Sequence, residues 1–340
     1  MARAGVDDGA IPLSPLIDGF GRHITYVRMS VTDRCDLRCR YCMAERMTFV
    51  PGKDVLGLED IVELADIFIA RGVTRIRLTG GEPLVRKDIA ELAAALGRRV
   101  GFGLDELTMT TNGTRLADHA RGLFDSGIRR INVSLDSRDP DRFRHITRHG
   151  DLARVLGGIE AAARAGLRVK INMVALKGIN HDEFAPMLRW CAAQGHDLTL
   201  IETMPLGEVE QDRTEHYLPL SEVRASLSRE FSLVPSIART GGPARYYEID
   251  GLDVRLGFIT PLTHNFCDGC NRIRVAATGT VFGCLGHDQK VELRELLRSG
   301  GRAAVTAALD RLIAGKPKGH QFRIEAARPA VARHMSVTGG

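Results

Sequence analysis

Seven cysteines stand in the 340-residue chain, and six of them fall into two triads, Cys35-x3-Cys39-x2-Cys42 and Cys267-x2-Cys270-x13-Cys284. Three thiolates from one loop, with no fourth cysteine nearby, suit a four-iron cube that keeps one iron open for an exchangeable ligand. Structural zinc instead wants four closed ligands, and the alternatives for the first triad are a Cys3His site or three unrelated core cysteines. The second triad is more evenly divided, because His287 completes a Cys284-x2-His287 pair and the whole would also pass for a zinc ribbon. Cys191 is left over inside a helical pattern. An odd count and close spacing argue against a disulfide framework.

Arg272 and Arg274 follow Cys270 at once and alternate along an apparent strand, with Ile273 and Val275 turned inward. Two guanidiniums on one strand face suit a phosphate, and two solvated arginines are the bland alternative. Holding such groups together falls to a unit that repeats between residues 24 and 204: a β-branched strand, a polar or glycine-rich loop, a helical stretch, then a glycine. Six buried parallel strands are predicted, at Thr25–Val31, Thr74–Thr79, Glu106–Thr111, Arg130–Leu135, Arg168–Leu176 and Asp197–Thr203. The helices between them stop at Gly72, Gly97, Gly127, Gly166 and Gly195, where glycine takes a left-handed cap without steric cost.

Repeated strand-helix-strand units give right-handed parallel crossovers, and six units fall short of the eight of a closed barrel. The predicted fold class is therefore α/β, an incomplete (β/α)6 three-quarter TIM-type barrel with a smaller α+β carboxyl-terminal region. The chain divides into four parts: an amino-terminal extension over 1–23, the partial barrel over 24–204, a carboxyl-terminal region with the second triad over 205–330, and a tail over 331–340 ending Gly339-Gly340. The third part carries a helical stretch near Ser221–Ser232, a strand pair at Ala244–Ile249 and Asp253–Ile259, and helices at Val291–Ser299 and Arg302–Gly315.

Parallel α/β folds put their active sites at the carboxyl ends of strands. The residues at and beyond each strand end form a coherent set: the first triad, Gly80-Gly81-Glu82-Pro83, Thr110-Thr111-Asn112-Gly113, the run Asn132 to Asp136, Lys170 with Asn172 on strand five, and Glu202-Thr203-Met204. Net charge is +5 without basic blocks and aromatics are 5%, which fits a small anionic substrate better than a nucleic acid. No apolar run nears the ~20 residues of a membrane span. Asp7, Asp8, Gly9 and Pro12 near the start do not read as a secretory signal, so a cytoplasmic protein is expected.

The first triad, followed by the Gly80-Gly81-Glu82-Pro83 loop, resembles the radical S-adenosylmethionine (SAM) superfamily. That resemblance implies that the open iron chelates the amino and carboxylate groups of SAM, whose sulfonium is cleaved to a 5'-deoxyadenosyl radical. Tyr41 would pack on the adenine, or simply on the core. Phe266 to Arg274, together with Tyr26-Val27-Arg28, Arg77 to Gly81 and the terminal Gly339-Gly340, resembles the GTP 3',8-cyclase family from about Phe20 to the last residue.

This narrower resemblance implies two [4Fe-4S] clusters, on Cys35, Cys39 and Cys42 and on Cys267, Cys270 and Cys284, the second met by guanine. It implies that Arg28, Arg77, Thr110, Lys170, Arg272, Ile273 and Arg274 bind GTP, and that Tyr41, Gly81, Ser134 and Met204 line the SAM pocket. The implied reaction abstracts hydrogen from ribose C3', adds the C3' radical to guanine C8, and gives (8S)-3',8-cyclo-7,8-dihydroguanosine 5'-triphosphate, the first step of molybdenum cofactor biosynthesis. No catalytic residue beyond the cluster ligands is singled out.

An electron donor is implied as a partner, with functional coupling to cyclic pyranopterin monophosphate synthase, and either a monomer or a homodimer is compatible. Asp36-Leu37 and Ala44 depart from the family's usual residues. The rivals are a radical SAM peptide-maturing enzyme, which usually has more carboxyl-terminal cysteines, and a zinc-ribbon binding module fused to a barrel.

Overall fold

The computed structural model of the chain describes residues 14–209, 213–324 and 329–339. Residues 1–13 of the expected extension and Gly340 of the expected tail lie outside them. Where β-branched and leucine-rich runs occur, strands form within one residue of the sequence expectation: β1 (Tyr26–Ser30), β2 (Arg75–Thr79), β3 (Glu106–Thr111), β4 (Arg130–Ser134), β5 (Arg168–Ala175) and β6 (Asp197–Glu202). These six lie side by side in sequence order and pair in parallel.

Between them run α1 (Leu58–Ala70), α2 (Ile89–Gly97), α3 (Leu116–Asp125), α4 (Pro140–Thr147), α5 (Leu152–Arg164) and α6 (Phe184–Ala193). Local chemistry starts some of them sharply. Asp139 accepts from the amide of Arg142 with Pro140 at the first helical position, and Asp151 accepts from the amide of Ala153. Every second strand residue, such as Val27, Ile76, Met109, Val133 and Ile171, joins helix residues such as Phe68, Leu92, Leu123 and Ile159 in one buried core. The alternate set faces away from the helices and is left for chemistry.

Four of the five expected helix stops behave as predicted, with φ of 87° at Gly72, 89° at Gly127, 89° at Gly166 and 68° at Gly195. Gly97 differs. It is the last residue of α2 without a left-handed conformation, and a Cβ there would fall 1.7 Å from the carbonyl oxygen of Ser126. Close backbone contact between α2 and the end of α3 requires that glycine.

The later chain continues the same sheet on both edges. After α7 (Arg213–His216) and α8 (Leu220–Leu227) come β7 (Leu233–Pro235), β8 (Arg245–Ile249), β9 (Leu252–Ile259), β10 (Arg272–Val275), β11 (Thr280–Phe282) and β12 (Lys290–Glu292). The strand order is β12-β11-β10-β1-β2-β3-β4-β5-β6-β9-β8-β7, with β10 parallel to β1 and β9 parallel to β6. The six-stranded partial barrel is thus flanked at each open edge by a parallel strand from the carboxyl-terminal region.

The two expected terminal helices merge into α9 (Leu293–Ala314), broken at Gly301 with φ 60° and ψ −158°. α10 (Met335–Thr338) closes the described chain and packs against β1. Among the described residues no helix is long and apolar enough to cross a membrane.

Candidate active site

The strand faces turned away from the helices surround two cavities at successive depths. On β4 Asn132 lines the deeper one and Ser134 the outer one; on β2 the pair is Arg77 and Thr79, and on β5 it is Lys170 and Val174, with Asn172 between them lining both. Alternate residues on a strand face the same way and lie about 6.6 Å apart, so one two-residue step separates the levels. The cavities are of similar size, ≈ 170 Å³ for the outer and ≈ 130 Å³ for the deeper.

The outer cavity holds Cys35, Cys39 and Cys42. The loop turns tightly there, the amides of Cys42 and Met43 both donating to the carbonyl of Cys39. Behind it the loop after β2 presses so close that a Cβ on Gly80 would meet the Thr32 carbonyl oxygen at 2.3 Å, and one on Gly81 the Arg34 oxygen at 2.4 Å. Only glycines let that backbone reach the cavity wall. Burial pushes the thiol of Cys35 up to about 12, that of Cys42 up to about 11, and that of Cys39 well above the ordinary range, each with help from neighbouring acids or thiols.

Three half-buried thiolates crowded together therefore need a strongly positive centre, which an iron cluster supplies. Among the described residues no three Cys, His, Asp or Glu side chains converge on one ion. A polynuclear cluster gives each thiolate its own iron and does not ask for convergence. The buried hydroxyl of Thr110, without a partner, adds capacity for a polar ligand at the cavity wall. Donor set and cradle both fit a three-thiolate iron cube with SAM beside it.

Gly81, Ser134, Met204 and Tyr41 all line this outer cavity. Tyr41 is held by its hydroxyl, which donates to Asp136 Oδ2 at 2.6 Å. Burial raises the Asp136 carboxyl to about 6, against the opposing bonds from Tyr41 and the Val174 amide. Glu82 is likewise raised by burial, to about 7, while accepting from Leu84, Thr111 and Asn112. Thr110, which the resemblance groups with the GTP-binding residues, lines the outer cavity.

The deeper cavity holds Cys267, Cys270 and Cys284 together with Arg28, Arg77, Lys170, Arg272, Arg274 and Lys316, and no carboxylate among its described lining residues. Arg274, Arg28 and Arg77 occupy one row across β10, β1 and β2, and neighbouring strands are only about 4.8 Å apart. Burial, then the neighbouring arginines, pulls Arg28 well below its ordinary value, and burial with Arg272 brings Arg274 down to about 10. Lys170 is lowered by burial, then by Arg77 and Arg130. Like charges crowded out of water call for an anion.

Ile273 borders the deeper cavity, but its side chain belongs to the apolar core, so it presents backbone. His287 turns Nε2 to the carbonyl of Gly319 at 3.0 Å and does not line the cavity. Cys191 is fully buried in the core on α6. Residues that sequence reasoning missed include Lys316, His320 and Met335. No local signal marks them, since each lies in a short polar stretch whose placement depends on distant contacts.

The cavities meet at Asn172, Ile201, Met204 and Met335, which line both. The tail reaches this waist. Arg274 donates to the carbonyls of Thr338, at 3.3 Å, and Gly339. A Cβ on Gly339, φ 75°, would overlap the hydroxyl of Thr79 at 1.7 Å.

Residues 29–191 match the Radical SAM superfamily and residues 196–322 match Molybdenum Cofactor Synthesis C. A GTP 3',8-cyclase of Rhizobium etli (strain CIAT 652) is 56% identical over 345 aligned residues, covering 99% of both chains. The chain belongs to the GTP 3',8-cyclase family. A GTP 3',8-cyclase of Rhizobium meliloti is 59% identical, covering 96% of this chain and 95% of its own, and that of Erythrobacter litoralis 57%, covering 96% and 99%. SuiB of Streptococcus suis bound to S-adenosylmethionine aligns over 93% of this chain and 78% of its own with a TM-score of 0.59 and 16% identity, a likeness of fold alone. As a GTP 3',8-cyclase family member, the chain is a radical SAM enzyme that uses SAM and two [4Fe-4S] clusters.

Proposed function

We infer that the chain cyclises GTP between ribose C3' and guanine C8, the first step of molybdenum cofactor biosynthesis, in the waist between its two cavities. The observation that carries this is a deep cavity with six basic side chains, one cysteine triad and no described carboxylate, opening into a second cavity with the other triad. When bound, SAM and the outer cluster supply a 5'-deoxyadenosyl radical.

The chain's own residues do the placing. A triphosphate carries about four negative charges, and Arg28, Arg77 and Arg274 in one row, with Lys170 and Arg272 beside them, offer paired N–H donors in a site with little water. Anchoring the phosphates at that depth directs the nucleoside toward the Cys267, Cys270 and Cys284 triad and leaves the ribose toward the waist. Gly81, Ser134, Met204 and Tyr41 would hold SAM on the outer side, Tyr41 fixed in orientation by Asp136. Radical chemistry belongs to the cofactor, and alignment belongs to the fold. Thr110, one strand step outside the basic row, is assigned to the boundary between the two ligands.

Anaerobically reconstituted protein given SAM, dithionite and GTP is expected to form 5'-deoxyadenosine and a cyclised nucleotide only when all three are present. Arg77→Met should weaken GTP binding by about 10- to 100-fold, the worth of a charged hydrogen-bonded pair, at unchanged iron content. Normal GTP affinity in that variant would remove the basic row from the reading.

A further inference from the structure

The segment after α9 wraps the second triad. Arg22 donates to the carbonyls of Cys267 at 2.7 Å, Lys318 at 2.6 Å and Pro317 at 2.7 Å, tying the segment to the first cysteine of the triad. Gly319 lies against Cys267 so closely that a Cβ there would stand 3.2 Å from its Sγ. At the start of this wrap, Lys316 is 2% exposed and turned into the deep cavity. Its Nζ donates to the carbonyl of Gly283, the residue before Cys284, and lies 3.7 Å from Sγ of Cys270. One side chain thus joins the two segments that carry ligands.

We propose that Lys316 is a positioning residue of the second centre, its ammonium donating an N–H···S hydrogen bond to Cys270 and raising the reduction potential of the four-iron cluster held there. Adding one electron makes a cluster more negative. A cation and an N–H fixed beside a ligand sulfur, away from water, stabilise the reduced form over the oxidised one. Lys316 acts through Cys270, since two of its three N–H donors are directed to Gly283 and Cys270.

The proposal rests on the reading that the second triad holds a four-iron cluster. A zinc there would contribute no paramagnetic signal in any redox state, so failure of that reading is seen separately from failure of this one.

The test is a dithionite titration of the reconstituted two-cluster protein, followed by electron paramagnetic resonance. SAM, which alters the signal of the outer cluster, tells the two signals apart. Lys316→Met, with full iron content, is expected to lower the ratio of reduced to oxidised second cluster about tenfold at a fixed potential, a 59 mV shift for a one-electron couple. Lys316→Arg should restore most of it, and the outer cluster should not move. If the Met variant fails to assemble its second cluster, Lys316→Gln, which keeps an N–H and drops the charge, is read in its place. A second-cluster potential equal to that of the unaltered protein in the variant read would overturn the proposal.

Discussion

At the scale of single residues, Arg272 and Arg274 are legible from their alternation along a strand and Lys170 from its place on strand five, whereas Arg28 and Arg77 come only with the family resemblance. A charge inside a buried strand needs a reason. Lys316 had no such context, since a lysine in Lys316-Pro317-Lys318-Gly319 reads as solvated until Gly283 and Cys270 are seen beside it. Lys170 shows what the burial does. It stands 3.1 Å from the hydroxyl of Tyr246, and burial, then Arg77 and Arg130, pulls it well below 10.5. In the window between that lowered value and the ordinary one, the unfolded chain holds a proton that the fold does not, so this group makes the unliganded protein more stable as pH rises. A bound triphosphate favours the charged amine and reverses the shift. GTP binding should then take up a proton within the window, and affinity should fall as pH rises through it. Calorimetry in two buffers of different ionisation enthalpy reads that uptake. Lys170→Met should abolish the Lys170 share and weaken binding, and an undiminished uptake in the variant would assign the proton elsewhere.

Among the elements, strands and helices follow local pattern closely because each unit is specified by its own apolar period and its own stop. Gly97 is the exception that separates two reasons for glycine. Gly195 takes φ 68° with nothing within 4 Å of the point where a Cβ would stand, whereas Gly97 has ordinary backbone and the Ser126 carbonyl oxygen 1.7 Å from its own such point. Asparagine tolerates the left-handed region but still carries a Cβ. Gly195→Asn should cost under about 1 kcal/mol. Gly97→Asn must push α2 from α3 and should cost about 3 kcal/mol, at the upper end for an overpacked site. Thermal unfolding of the cluster-free variants compares them, and equal losses would mean that the α2–α3 contact yields without strain. What local pattern could not reveal is where β9 and β10 go. Their pairing with β6 and β1 joins residues far apart in sequence, and a short strand carries no record of its partner.

For the molecule as a whole, those two edge pairings bring the chemistry together. β10 sets Arg272 and Arg274 beside Tyr26 and Arg28. Cys267 and Cys270 before β10 and Cys284 after β11 then join the same cavity as residues on β2, β4 and β5. The tail comes back to the waist, where Met335 borders both cavities and Arg274 holds the carbonyls of Thr338 and Gly339. If cyclisation takes place at this waist, filling it should separate binding from turnover. Met335→Trp adds bulk where the cavities join and touches none of the triad cysteines. Iron content, SAM binding and GTP binding should stay near those of the unaltered protein. Formation of the cyclised nucleotide should fall about 100-fold, the cost of roughly an ångström of misplacement between reacting atoms. Met335→Ala leaves the passage open and should retain most of the turnover. Full turnover in the Trp variant would place the reaction away from the waist and leave the junction of the two cavities without a catalytic part.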